Sequence, residues 1–450
     1  MKPKYFLLLI TVLLALASCR KFLDAKPDKQ LAVPQSLKDC QALLDNTNTM
    51  TVQYPTAGEI AADNFYLLYT SWQSRSVTDQ NTYIWSRDVF NDNDRNDWNN
   101  SYSVVYYANT VLDLLKNSFT ILSGPQEDNI KGQALMFRSF AFYNLLQLFA
   151  KPYDEATASV DLGIPLRLNP DLNVPSVRAS VKECYDQLIA DAKEAARLLP
   201  VTPLVKTRPS RTAAFALLAR TYLSMADYNN AFIYADSALN LYNTLMDFNC
   251  SCINLNAANP FARYNNEVIF HTLLFGSGTL STTTAKVDSN LYSSYNANDL
   301  RKTGFFKNNN NGTYGFKGSY NGSSANFCGL ATDELYLIRS ECNVRLNRLT
   351  QGLNDLNTLL SKRWKAAAFV PVSVSDPDQA LQIILDERRK ELLYRGLRWS
   401  DLRRLNKDPR FAVTLTRNLN GQLYILPPND KRYVFPIPVN VIQITGMPQN

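Results

Sequence analysis

The sequence predicts a mostly α-helical protein in which helical hairpins form a scaffold beneath a loop-rich, irregular ligand-binding half. Three observations carry that prediction. Long stretches repeat apolar residues every three to four positions, the period of a helix with one buried face. Two of these stretches break at a short turn and restart, as helical hairpins do. Two others are crowded with Ser, Thr, Asn, Gly and Tyr, which favour turns over regular structure. A hydrophobic share of 46% against a charged share of 19% excludes intrinsic disorder. The 450 residues are ample for a large core, and a mean hydropathy of -0.23 excludes a bundle of membrane-spanning helices.

The first element is an export signal, residues 1–18. Lys2 and Lys4 precede an apolar run from Phe6 to Leu16, and the small residues Ala17 and Ser18 follow it. The ending Leu16-Ala17-Ser18-Cys19 resembles a bacterial lipobox. Cleavage before Cys19 and lipidation of its thiol are expected, because acyl chains hold a protein on a membrane without a spanning helix. Residues 19–35 read as a lipidated tether. Arg20, not an acid, follows Cys19, which favours the outer membrane. Residues 36–450 read as a single domain, with an N-terminal part of about 36–250 and a C-terminal part of about 251–450.

The helices follow in order. Residues 98–117 align Tyr102, Val105, Tyr106, Asn109, Leu112 and Leu115 on one face, with Trp98 as a core anchor. Residues 130–149 do the same with Ala134, Phe137, Ala141, Leu145 and Leu148. Ser180 and Glu183 form a capping box for 180–199, which Pro200 ends. A helix from Thr212 to Met225 turns at residues 227–230 into a second one carrying Ala231, Tyr234, Ala235 and Leu239. The spacing of Ala219, Tyr222, Tyr228 and Ala231 resembles a tetratricopeptide-type hairpin, where alanines permit close approach and Tyr fills the gap. A second hairpin spans Asp333 to about Leu346 and Gly352 to Leu360. In residues 375–405, Ser375 is expected to cap a helix that Gly396 ends, and Ser400-Asp401 to open the next.

The loop-rich stretches are 50–97 and an insertion at 276–330. Both carry aromatic residues on polar, turn-forming sequence, which suggests a surface built for binding. The candidate ligand contacts are Tyr66, Tyr69, Trp72, Arg75, Tyr83 and Trp85 in the first stretch, and Tyr292, Tyr295 and Asn296 in the second. Asn81, Tyr314, Lys317 and Tyr320 extend the list. A sugar ring presents a C–H face that stacks on Trp or Tyr, while amides and cations satisfy its hydroxyls.

Other chemistries are disfavoured. The net charge of +7 is spread out rather than clustered, so nucleic acid is not an expected partner. The chain has one histidine, His271, inside a run that reads as a buried strand, which leaves little for a His-based catalyst or metal site. Glu387 and Glu391 are paired carboxylates at i,i+4, the spacing a glycosidase reading would examine. Arg388, Arg389, Lys390, Arg395 and Arg398 crowd them, and guanidinium groups hold carboxylates ionised, so an ion-pair network is expected instead of an acid catalyst. Cys184 and Cys342 read as buried apolar residues, and Cys250-Ser-Cys252 lacks the second ligand pair of a zinc site. Spacing leaves the disulfide pairing open. No metal and no cofactor are expected.

Several features taken together resemble the SusD/RagB family of outer-membrane nutrient-binding lipoproteins. They include Cys19 with Phe22-Leu-Asp24, Trp98-x3-Tyr102-x3-Tyr106-x-Ala-Asn109, Gly132 to Tyr143, and Asp161-Leu-Gly-Ile-Pro-Leu166. Arg211 to Tyr222, Asp333 to Glu341, Leu385 to Leu402 and Phe435-Pro-Ile-Pro438 follow in family order. The resemblance implies tetratricopeptide-like hairpins under a loop-rich half and no catalysis. It implies a lipid-anchored protein facing the cell exterior that captures glycans, or in some relatives peptides, for a TonB-dependent outer-membrane barrel.

Overall fold

The periodic stretches are helices in the computed structural model, which describes residues 36–90, 96–117 and 124–450. The signal segment, Cys19 and the tether 19–35 lie outside these residues. Helix α1 (Leu37–Leu44) starts at Ser36, whose hydroxyl accepts from the Asp39 N–H. The short helix α2 (Thr47–Met50) follows, and three more punctuate the first loop-rich stretch: α3 (Ala57–Ala61), α4 (Tyr69–Gln73) and α5 (Val77–Tyr83).

The scaffold is a row of longer helices, each packed on the one before. It runs α6 (Asp97–Asn117), α7 (Pro125–Phe149), α8 (Val181–Leu198), α9 (Arg211–Ser224) and α10 (Tyr228–Leu241). Two short helices, α11 (Ser289–Ser293) and α12 (Arg301–Phe305), belong to the second loop-rich stretch. The row resumes with α10 against α13 (Thr332–Arg345), which packs on α14 (Leu349–Ser361) and α15 (Pro377–Glu391). Helices α16 (Arg398–Leu405) and α17 (Val439–Thr445) complete the chain. Among the described residues, no helix is long and apolar enough to cross a membrane.

The expected hairpins form. In α9/α10 the alanines Ala219, Ala231, Ala235 and Ala238 are fully buried, and the Tyr222 ring lies flat on Tyr234, centroids 5.6 Å apart at 2°. In α13/α14 the backbones come so close that a Cβ at Gly352 would sit 2.6 Å from Val344 Cγ2 and 2.9 Å from the Ser340 carbonyl oxygen. The capping box at Ser180 is present in full. Helix α7 differs from the one-sided stripe expected of it. From Gly132 to Tyr143 every residue is buried, because α1, α6 and α8 cover it on several sides. Its C-terminal carbonyls are met by Arg403, which donates to Leu146, Gln147 and Ala150, and by Arg178 at Phe149.

Three boundaries near the C-terminus are corrected. Asp376, not Ser375, caps α15 by accepting from the Asp378 N–H. The helix ends at Glu391, five residues before Gly396, because Tyr394 (φ 58) and Gly396 (φ 72) both turn left-handed. Tyr394 thereby stacks on Phe316, centroids 4.7 Å apart. The next helix opens at Arg398 rather than Ser400.

The strands are short antiparallel pairs. β1 (Phe65–Tyr66) pairs with β5 (Lys286–Val287), β2 (Leu162–Pro165) with β3 (Arg178–Ser180), and β4 (Val268–Phe270) with β8 (Leu330–Ala331). β6 (Phe306–Asn308) and β7 (Tyr314–Phe316) form one hairpin, and β9 (Leu415–Leu419) and β10 (Gln422–Leu426) another. His271 directly follows β4 and is fully buried, its Nε2 3.0 Å from the Asn321 side-chain oxygen. Burial and then the nearby Arg263 push its pKa down to about 4, which fits a neutral structural histidine.

Candidate functional site

Two segments about 200 positions apart in sequence meet. Strand β1 supplies the first link, placing Tyr66 opposite Lys286 of β5. Asp79 of α5 supplies the second: its carboxylate accepts from the Ser277 hydroxyl at 2.7 Å and from the Thr279 hydroxyl. Strand β5 also lies beside β7, so the 306–316 hairpin joins the same region.

Between these segments opens a cleft of about 440 Å³. Arg75, Asp79, Asn96 and Asp97 line it with Ser277, and Phe90 and Phe275 supply apolar wall. Arg75 is anchored through Nε on the Ser71 carbonyl (3.1 Å) and through a terminal nitrogen on the Ser74 hydroxyl (2.8 Å). A Cβ at Gly278 would stand 3.0 Å from the other terminal nitrogen, so glycine makes room for the guanidinium there. Asp97 holds α3 from outside, its Oδ2 accepting from the N–H of Thr56 (3.0 Å) and Ala57 (2.8 Å). Burial raises the Asp97 carboxyl to about 6 despite these two donors.

The predicted aromatic residues divide into two groups. Tyr69 and Trp72 sit on α4, leading into the cleft wall at Ser74 and Arg75. Their rings stack with centroids 5.9 Å apart at 28°, and Tyr69 is 37% exposed. Trp72 donates its indole N–H to the Gln80 carbonyl, which fixes the ring. Tyr292 and Tyr314 stack at 3.6 Å and 13°, with the Lys302 ammonium 4.8 Å from the Tyr292 ring. Tyr66 is half-buried, and Asn296 is exposed in a turn where its side chain accepts from the Asn298 N–H.

For the second group, the expectation of a solvent-facing ring is corrected. Tyr83 is 1% exposed and its hydroxyl accepts from the Leu67 N–H. Trp85 is 2% exposed and donates to the Ala61 carbonyl. Both rings face the Arg417 guanidinium. Tyr295 is buried with its hydroxyl on the Lys390 carbonyl, and Tyr320 is buried with its hydroxyl on Glu267. Lys317 spends its ammonium on the Leu255 and Ala257 carbonyls, and Asn81 donates to the Asp88 carbonyl. Aromatic residues on turn-rich sequence are as able to fill the space under a loop as to stand on top of it. Asp79, Asp97 and Ser277, which the sequence reading missed, carry no local signal. Asp97 reads there as an ordinary acid in the first turn of a helix.

The paired glutamates are locked. Arg301, fully buried, donates to Glu387 at 2.6 Å and to Glu391 at 3.0 Å. Arg363 bonds Glu391 and Glu267, Lys390 bonds Glu387, and Arg395 bonds Asp333. Burial alone would raise Glu391, but Arg363 and Arg301 outweigh it and hold the carboxyl below its usual range. Carboxylate oxygens of Glu267, Asp333 and Glu391 lie within 4.8 Å of one another, a spacing that can hold a metal. Here Arg363, Arg395 and Arg301 supply the positive charge a cation would bring.

These features define a helical-hairpin scaffold whose loops, gathered from two distant segments, present an open, polar and aromatic-edged surface. A family model described as starch-binding and associating with the outer membrane matches residues 21–223, and the SusD family model matches residues 262–449. The chain belongs to the SusD/RagB family. A curated relative, SusD-like protein P2 of Formosa agariphila, is 28% identical over 146 residues, which is 32% of this chain and 26% of that protein. The match thus spans about a quarter of the relative's length. The same fold occurs in a SusD superfamily protein of Bacteroides thetaiotaomicron (TM-score 0.76, 20% identity, covering 92% of this chain and 99% of that one). It recurs in a SusD-like carbohydrate binding protein of Bacteroides vulgatus (TM-score 0.68, 19% identity, 92% and 97%). A surface glycan-binding protein A of Bacteroides fluxus is similar as well (TM-score 0.70, 16% identity, 93% and 99%).

Proposed function

We propose that this protein is an outer-membrane lipoprotein, anchored through Cys19 and facing the cell exterior, that captures oligosaccharides and passes them to a TonB-dependent barrel without cutting them. The observation that carries this reading is the cleft at the meeting of the two loop-rich segments. It combines a guanidinium, carboxylates and hydroxyls with the neighbouring Tyr69/Trp72 stack, the mixture of ring faces and hydrogen-bonding groups that a sugar requires. Tyr66, Tyr69, Trp72, Arg75, Tyr292 and Asn296 remain its ligand contacts, joined by Tyr314. The family description, starch-binding and outer-membrane-associated, supports the same reading. So does the burial of Glu387 and Glu391 in ion pairs, which leaves neither free to act as an acid.

The test is oligosaccharide binding by the purified chain, read by calorimetry across a panel of glycans. Trp72→Ala and Arg75→Ala are expected to weaken binding by about tenfold or more, while Tyr295→Phe leaves it unchanged. Absence of binding across the panel, or competition by peptides and by no glycan, would refute the glycan reading.

A further inference from the structure

Among the described residues, four cysteines are free and buried: Cys40, Cys184, Cys328 and Cys342. Burial pushes their thiols up, to about 11 for Cys40 and about 12 for Cys184 and Cys328, so they are poor nucleophiles. Cys250 and Cys252 differ in every respect. They are bonded to each other, and both are exposed on the loop that follows α10.

A disulfide stabilises a fold mainly by removing freedom from the unfolded chain, and the effect grows with the loop it closes. This one spans a sequence separation of only two. The surrounding chain is held by other means. Phe248 N–H donates to the Lys362 carbonyl, and Asn249 bridges the Trp364 carbonyl and the Ala366 N–H. Lys317 clamps the Leu255 and Ala257 carbonyls. The pair is therefore unneeded as a staple, and its exposure opens it to attack.

We infer that Cys250–Cys252 is a thiol-exchange site, open to small thiols from solution, set on a loop that keeps its fold in both redox states. The Cys252 N–H points at Cys250 Sγ, 3.2 Å away, and so favours negative charge on that sulfur. An incoming thiolate attacks Cys252 Sγ, the Sγ–Sγ bond breaks, and Cys250 leaves as the thiolate and takes up a proton. A second thiolate then attacks the sulfur of the bound reagent, so that Cys252 leaves as the thiolate and takes up a proton. The pair gains two electrons and two protons, and the two reagent thiols are oxidised to their disulfide.

The full chain, purified in air, is treated with millimolar reduced glutathione, trapped with N-ethylmaleimide and read peptide by peptide in a mass spectrometer. Cys250 and Cys252 are expected to become alkylated while the four buried cysteines stay unmodified. Glutathione disulfide should re-form the pair, and the melting midpoint should differ by less than about 3 °C between the two states. In Cys250→Ser, Cys252 should instead accumulate as a mixed disulfide carrying one glutathione. Resistance of the pair until denaturant is added, a larger fall in the midpoint, or thiols that glutathione disulfide fails to pair would each overturn the inference.

Discussion

The guanidinium of Arg417 lies 4.3 Å from the ring centroid of Tyr83. The Trp85 ring approaches the same cation at 5.1 Å, and the carbonyls of Phe65 and Ala62 accept its N–H groups. Strand β9 is thus riveted through one cation to the first loop-rich segment, and two rings that sequence would place on the surface form the socket. Trp85→Ala and Arg417→Ala should each cost about 3 kcal/mol of unfolding free energy, since one empties a core site and the other leaves buried carbonyls unbonded. Trp72→Ala should stay within about 1 kcal/mol, because its ring is only partly covered. Denaturant melts of the three variants separate socket from surface, and equal losses would show that the division is wrong.

That contrast marks what the sequence discloses. Helical period, the Ser180 capping box and the alanine spacing of α9 and α10 are local signals, set by which neighbours share a helix face, and they are readable without tertiary structure. The one-sided reading of α7 failed because several neighbours cover it, and a sequence window does not report how many sides are covered. The cleft was half legible. Its two source segments stand out by composition, yet the pairing of Tyr66 with Lys286 and of Asp79 with Ser277 joins residues about 200 apart, which no local rule predicts. Nor does composition separate Tyr69, at the surface, from Tyr83, in the core.

Gly352 tests the second hairpin. Its missing side chain lets α14 press against Val344 and the Ser340 carbonyl, and the Ser340 hydroxyl donates to the Gly352 carbonyl at 2.7 Å. One obstructing atom is backbone and cannot rotate away. Gly352→Ala should therefore lose about 1–3 kcal/mol, although alanine is the better helix former. A variant that melts higher than the parent would mean that the helices separate at no cost.

Glu391 separates an ion-pair network from an active site. It faces Arg301 and Arg363, both fully buried, and neutralising it leaves two guanidinium groups short of charge. Glu391→Gln should destabilise the fold by about 3–5 kcal/mol. No glycan cleavage is expected from the parent chain. Turnover by the parent that disappears in a Glu391→Gln protein of undiminished stability would reverse the assignment.

The buried acids set a pH dependence of opposite sign to ordinary acid denaturation. Glu59 accepts from the Asn64 side chain (2.9 Å) and the Gly396 N–H (2.9 Å), yet burial outweighs both and raises it to about 7. Burial likewise raises Asp97, to about 6, and raises Glu267 above its usual range against the pull of Arg363. In the unfolded chain these carboxyls titrate near about 4. Between the two values the folded state binds more protons, so stability falls with rising pH. Their contribution is whole below about pH 4 and is lost as pH climbs through about 7. Asp63 runs the other way: burial would raise it, but Arg398 and Arg389 hold it low, so its contribution is lost only in strong acid. Between about pH 4 and 6.5 His271, whose pKa burial holds down to about 4, works against these acids, so unfolding free energy should decline from about pH 6.5 toward pH 8, with Glu59 alone contributing up to about 3 kcal/mol over its full titration. Urea titrations at a series of pH values measure the slope. Glu59→Gln should flatten it by that share whatever happens to absolute stability, and an unchanged slope in the variant would assign the pH dependence to other groups.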